Sequence, residues 1–421
     1  MTLILTANNI TTQIDSSSTA VCISPYELNN NYMANKFSNT LITDANWCQE
    51  VEKSCQTLLD DLAGSPDITI VFVSPHFAEE FQEIAHAIQE ALQPIHMIGC
   101  VGDSIVSGAR EIEGDPAITI WVAALPNTNI ETARLLLERV PDGGFISGTD
   151  ALPLEQITDR EDAALIVLGE PFSFPTDLLL SQLAGDYPEL RVLGGMASGF
   201  QQPGKNLVLV NGTVYCEGAV GLFFNGGVKV HSVVSQGCRP IGNRLVVTKV
   251  ERNLVLELGG KPAMQMLEEI LIRLPTSDHD LMRQGFFLGR VISEYQDDYE
   301  MGDFLIRNVM SVDNQRGAVV VNDYFKVGQT VQFQVRDEDS ASNELRQLLR
   351  KTEPTKVKGG LIFTCNGRGT KLFAEPDHDA GVIKETVGAI PLAGFFAQGE
   401  IGPVGGENHM HGYTASVVLF E

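Results

Sequence analysis

The 421-residue chain has no CxxC pair and no regular cysteine spacing: Cys22, Cys48, Cys55, Cys100, Cys216, Cys238 and Cys365 are scattered and odd in number. That excludes a disulfide framework and a structural zinc cluster and points to reduced thiols, most of them small buried apolar residues. Basic residues are scarce, with 29 Lys plus Arg against 54 Asp plus Glu and a net charge of −25. Such a surface repels phosphate backbones and anionic lipid, so neither nucleic acid nor a membrane is an expected partner. Long apolar runs are missing too, since no uncharged stretch approaches the ~18–20 residues that cross a bilayer. Residues 1–17 have no basic segment ahead of an apolar core, so no secretion signal is expected. These absences together lead to the expectation of a cytoplasmic protein.

What is there is globular: 43% hydrophobic residues and a mean hydropathy of +0.03, in a length that suits two or three domains. Residues 1–35 are rich in Asn, Ser and Thr and read as a polar arm. A helix fits Ala45 to Leu62, where Trp47, Val51, Cys55, Leu58, Leu59 and Leu62 recur at helical spacing.

One unit occurs three times beyond that helix. Each copy opens on a buried-strand run: ITIVFVSP (68–75), ALIVLGEP (164–171) and GLIFTCNG (360–367). An amphipathic helix follows, clearest over Ala78 to Leu92 and Thr176 to Leu183, then a proline and a short apolar strand with glycine: HMIGCVGDS (96–104), RVLGGMASG (191–199) and PLAGFFAQG (391–399). A last strand closes each unit, as AITIWVAAL (117–125), GAVGLFFNG (218–226) and YTASVVLF (413–420). Strand–helix–strand order implies a right-handed parallel crossover, with the turns after both strands at one sheet edge. The NGRG and GFFAQGE loops of the third copy therefore face each other. Because the small turn residues recur in all copies, they read as architecture and do not mark a site.

Between the second and third copies the texture turns antiparallel. Asn211-Gly212 marks a type I′ hairpin, strands fit 228–236, 244–250, 304–311 and 317–322 around a turn at 313–316, and helices fit Ala263–Arg273 and Ala341–Arg350, the latter capped by Ser340. The expected fold class is α/β with α+β character: mixed sheets in two domains, 36–227 and 228–421, with an antiparallel insertion in the second.

The polar set peculiar to the third copy is Cys365, Asn366, Arg368, His378, Asp379, Glu400 and His411. Cys365 ends a strand, where a thiol with a nearby base such as His378 could act as a nucleophile, or lie buried beside a turn. Arg368 between two glycines suits presentation to a carboxylate. Glu400 could bind an amine, accept backbone N–H groups or pair with Arg368. His409 and His411 form HxH, which in extended chain shares one face and allows a transition metal or haem, although further ligands are needed. His231 reads as a strand residue, and the acidic run Glu294–Glu300 as a solvated loop. No P-loop spacing GxxxxGK[ST] occurs.

GGMASG (194–199), GCRPIG (237–242), CNGRG (365–369), EPDHDA (375–380), LAGFFAQGEIGPVGG (392–406) and HGYTAS (411–416) resemble the FIST family, whose FIST N and FIST C parts occur together. The resemblance covers residues 37–420. It implies a non-enzymatic sensory module of signal transduction that binds a small polar metabolite such as an amino-acid derivative, and some bacterial relatives sense haem. With no F-box-like helices and no kinase, GGDEF or methyl-accepting signature, the output would pass to a partner protein. The family's N-terminal GCxxxGE pattern is broken here, because Ser104-Ile105 stand where Gly-Glu is expected.

Overall fold

Three glycines set the architecture. In the parallel pairs of a computed structural model, which describes residues 34–141, 143–157, 163–296, 298–299 and 302–421, Gly99 lies against Val71, Gly194 against Val167 and Gly394 against Ile362. A Cβ at these glycines would sit 2.1, 2.0 and 1.9 Å from the facing carbonyl oxygen. No side chain fits, so the pairs close only on glycine.

The three units have one plan. The first runs strand Ile68–Val73, helix Phe81–Leu92, strand His96–Val101 and strand Ile118–Ala124. The second runs Ala163–Gly169, helix Thr176–Asp186, Arg191–Met196 and Ala219–Asn225, and the third Gly359–Cys365, helix His378–Val387, Leu392–Ala397 and Ala415–Phe420. In each, the closing strand pairs antiparallel with the opening strand. The opening strands are buried along their whole length because both sheet faces are covered.

Each unit also lends a hairpin to another unit's sheet. The first unit's hairpin, Ser104–Ser107 with Arg110–Glu113, pairs with Leu392–Ala397 of the third. The second unit's, Val208–Val210 with Thr213–Tyr215, pairs with His96–Val101 of the first, and its turn residues Asn211 and Gly212 have φ of 45° and 80°, as a type I′ turn requires. The third unit's, Glu400–Val404 with Glu407–His411, pairs with Arg191–Met196 of the second. The exchange closes a ring of three sheets with the same strand order. Residues on both sides of Gly227 thus share sheets.

The inner faces enclose one core, in which Phe72 packs against Phe363 and Phe395, and Phe420 against Trp121 and Phe224, at centroid distances of 4.9–6.3 Å. The outer faces are covered by helices Trp47–Leu62 and Phe81–Leu92, by Thr176–Asp186, and by Glu338–Arg350 and His378–Val387.

The antiparallel insertion closes into a barrel, since strand Thr330–Arg336 pairs with Phe287–Val291 as well as with Leu245–Glu251. The chain enters and leaves the barrel side by side, with Cys238 paired to Arg336. The helix after it begins earlier than its periodicity suggests, at Glu338. Asp337 is its N-cap and accepts the Ser340 N–H at 2.7 Å, so Ser340 is a first-turn residue and not the cap. His409 and His411 lie in strand Glu407–His411. Strands Asn129–Val140 and Gly143–Ser147 pair as a long hairpin, in which the Leu- and Glu-rich composition of the first favours helix and is overridden by pairing with Ala219–Asn225. Nearly all of the expected arm, and Asp297 and Glu300 of the acidic run, lie outside the described residues. Among the described residues no helix is long and apolar enough to cross a membrane.

Candidate functional site

The parallel crossover brings the third unit's two turns together, with Asn366 N–H donating to Ala397 O at 2.9 Å. The other six sequence candidates divide into two clusters and one isolated residue.

The first cluster is a buried lock. Arg368, 0% exposed, donates from Nε and Nη2 to Asp379 at 2.7 Å each, and Asp379 also accepts from Thr364 Oγ1 at 2.7 Å. His378 Nδ1 lies 3.1 Å from Asp379, and its ring stacks on Phe373 at 3.4 Å. Burial disfavours the Asp379 charge, but Arg368 and His378 outweigh it and hold the carboxyl well below the usual range. Arg368 thus pairs with Asp379, and Glu400 is only a longer-range neighbour. Two further carboxyls surround the guanidinium. Glu111, on the hairpin lent by the first unit, accepts Ala380 N–H at 2.8 Å and is pushed up to about 8 by burial and by Asp379. Glu344 accepts from Ser235 Oγ and Gly237 N–H and is raised by burial.

The second cluster is built on Glu400 and Cys365. Ile105 pairs with Phe395, Val208 with Cys100 and Glu400 with Gly195, each partner one residue past its unit's register glycine. Glu400 therefore occupies the place where the other two hairpins put an apolar residue into the central core. Its Oε2 accepts Thr414 N–H at 2.9 Å, its Oε1 is buried beside the Cys365 thiol without a nitrogen or oxygen partner, and burial raises its pKa to about 8. Cys365 Sγ accepts from the Gly367 N–H at 3.4 Å, and burial and the neighbouring Glu400 push the thiol up to about 12. Arg336, from the barrel's last strand, lies with its guanidinium 4.1 Å from the Tyr413 ring centroid and 4.6 Å from that of Phe287. Its Nε and Arg368 Nη1 are also buried without partners. Arg336 acts electrostatically on both Glu400 and Cys365, and Arg368 on Glu400.

His411 stands apart, with Nε2 3.0 Å from Gly402 O. Burial lowers it to about 3 and the neighbouring His409 to about 4, so both rings are neutral at pH 7. The rings lie 6.0 Å apart and nearly perpendicular, and among the described residues no third ligand-type side chain joins them as a metal site would need. Outside the buried clusters a groove of about 960 Å³ lies between the barrel and helix Thr176–Asp186, lined by Arg307, Asn308, Asp323, Tyr324, His411 and Gly412 among others.

Arg336, Glu111, Glu344 and Tyr413 were not among the sequence candidates. For Glu111 and Arg336 no local signal exists, because a hairpin exchange and the barrel exit bring them in. Tyr413 lies inside HGYTAS and has φ of 65°, an uncommon conformation for an aromatic residue.

Comparison with known proteins finds two family models that together cover most of the chain. The FIST N domain model matches residues 67–261 and the FIST C domain model residues 263–403. An uncharacterized protein of Mycobacterium tuberculosis (strain ATCC 25618 / H37Rv) is 39% identical over 366 residues, 86% of this chain and 93% of its own length. An uncharacterized protein of Mycobacterium bovis is 37% identical over the same span, 92% of its length. Among solved structures, cyanuric acid hydrolase from A. caulinodans covers 91% of the chain at 10% identity and a TM-score of 0.29, too distant to inform function. The chain belongs to the FIST family, whose domains are sensory modules of signal transduction.

Proposed function

We propose that this FIST protein is a non-enzymatic sensor that binds a small polar metabolite of the amino-acid-derivative class where the third unit meets the barrel. One observation carries the reading: Glu400 Oε1, Arg336 Nε and Arg368 Nη1 are buried without a nitrogen or oxygen partner and belong to one electrostatically linked group. Buried polar atoms are normally satisfied, so two guanidinium donors and one carboxyl oxygen await complementary groups. A carboxylate on the ligand would meet the arginines, and an amino or hydroxyl group would meet Glu400. Cys365 and Asn366 border this position, while His378 and Asp379 hold Arg368 in place and His411 lines the groove.

A cysteine-dependent reaction is less well supported. A thiol held at about 12 offers little thiolate at neutral pH, and His378 is engaged by Asp379 and Phe373. Reduced cysteines and the acidic surface suit the cytoplasm, and the signal would leave through a partner protein.

Thermal unfolding of the full chain against a panel of amino acids and their derivatives tests the reading. A ligand at a hundredfold its Kd adds about 2.7 kcal/mol of stability. The shift should disappear in Arg336→Met and Glu400→Gln; a shift that persists undiminished in both variants places the ligand elsewhere.

A further inference from the structure

We infer that Tyr413 is the gate of this site: its ring covers Cys365 and Glu400 from the surface beside Gly412, and turning the ring aside admits the ligand. The inference rests on the reading that the ligand meets Glu400, and it adds the way in and the residue that controls it.

On the inner side the cluster is solid. Glu400 faces Gly195, where even a Cβ would come within 2.9 Å of Ala397 Cβ, and the aromatic core lies behind. On the outer side stands Tyr413, 39% exposed, whereas Cys365 is 7% and Glu400 0% exposed. The ring lies so close over Gly367 that a Cβ there would be 2.8 Å from it, and the Gly367 N–H bonds the thiol beneath. Ring contacts to Arg336 and Phe287, the latter edge-on at 6.0 Å, hold the closed position.

The backbone is arranged for a ring that moves on a fixed base. Tyr413 has φ of 65°, a conformation that costs of order 1 kcal/mol and persists only where its neighbours impose it. The next residue is anchored twice: Thr414 N–H bonds Glu400 Oε2, and Thr414 O accepts Cys365 N–H at 2.9 Å. The preceding residue, Gly412, has open space around it, since a Cβ there would meet only Asn308 Nδ2 at 3.8 Å. This glycine lines the groove of about 960 Å³, and the ring that covers the thiol is carried by the next residue in the chain. Because Glu400 itself holds Thr414, a ligand that takes up Glu400 acts directly on the base of the gate.

Cys365 is a built-in reporter behind the gate and needs no ligand. Alkylation of the full chain by iodoacetamide at about pH 8.5, near the ordinary thiol pKa, is read site by site by peptide mass spectrometry, with buried Cys55 in the first outer core as the control for general opening. Tyr413→Ala should raise the Cys365 to Cys55 rate ratio about 10-fold or more, and Tyr413→Phe, which keeps the ring, should leave it within about 2-fold of wild type. An unchanged ratio in Tyr413→Ala, including one in which both rates rise together, overturns the gate. If the ratio rises and no metabolite binds, the gate stands and the ligand reading falls. If a Glu400-dependent ligand binds and the ratio does not move, the ligand reading stands and the gate falls.

Discussion

Arg368 and Asp379 form a two-bond pair, Nε to Oδ2 and Nη2 to Oδ1 at 2.7 Å each, with 0% and 1% of their side chains exposed. The pair ties the NGRG turn to the first turn of helix His378–Val387. Removing one partner strands the other charge in the interior, which costs about 3–5 kcal/mol. Asp379→Asn and Arg368→Ala should each lower the unfolding free energy read from urea denaturation by that much, whereas the double substitution Arg368→Met with Asp379→Leu should cost clearly less than the sum. Additive losses would show that the two residues act independently.

Stability should fall as pH rises from 6.5 to 8. Glu111 and Glu400 are each raised from 4.5 to about 8 by burial, so the fold holds protons that the unfolded chain has released. Their contribution is full below 4.5 and is lost as pH climbs to 8. His411 and His409, lowered by burial to about 3 and about 4, act in the opposite sense only below 6.5, which leaves 6.5–8 as the clean window. Each carboxyl contributes at most about 1.4 kcal/mol per pH unit. Urea midpoints across this window should decline in wild type and flatten in Glu111→Gln and Glu400→Gln; a wild-type midpoint that rises there contradicts the assignment.

Cys365 should react far more slowly than the exposed Cys48. The thiol is 7% exposed and pushed up to about 12, whereas Cys48 lies open at the start of the first helix. At pH 7.5 a rate ratio of about 100-fold or more in favour of Cys48 is expected, since reactivity follows thiolate fraction and access. His378→Ala should leave the Cys365 rate unchanged, and a large drop would restore the nucleophile–base reading.

Glycine-to-alanine changes should split by location. At Gly394 an added Cβ would sit 1.9 Å from Ile362 O, so Gly394→Ala must force a parallel pair apart and should cost more than about 3 kcal/mol. At Gly381, in the helix that carries Asp379, nothing lies within 4 Å, and Gly381→Ala should stabilise by about 0.5–1 kcal/mol. Chemical denaturation of both variants checks the pair; a tolerated Gly394→Ala would refute the account of the register glycines.

Much of this was legible in the chain because local pattern controls it. ITIVFV and its two counterparts read as buried strands, and Asn211-Gly212 dictates its turn by backbone preference alone. The Asn129–Val140 strand was hidden because its composition favours helix and only its neighbour makes it extended. Of the candidate site, Cys365 and Glu400 are legible by polarity in an apolar context, and Arg368 by its flanking glycines, which do not specify Asp379 as its partner.

The sequence by itself determined that one βαβ-plus-strand unit is used three times and that the third carries the polar residues, because period, breaker residues and register glycines act over a few positions. The tertiary structure alone decided that each unit lends its hairpin to another's sheet. That exchange, together with the barrel exit, brings Glu111 to Asp379, places Glu400 where its counterparts are Ile105 and Val208, and sets Arg336 beside it. Those contacts join residues as far as 269 positions apart, and strand pairing of that range leaves no periodic trace in either segment.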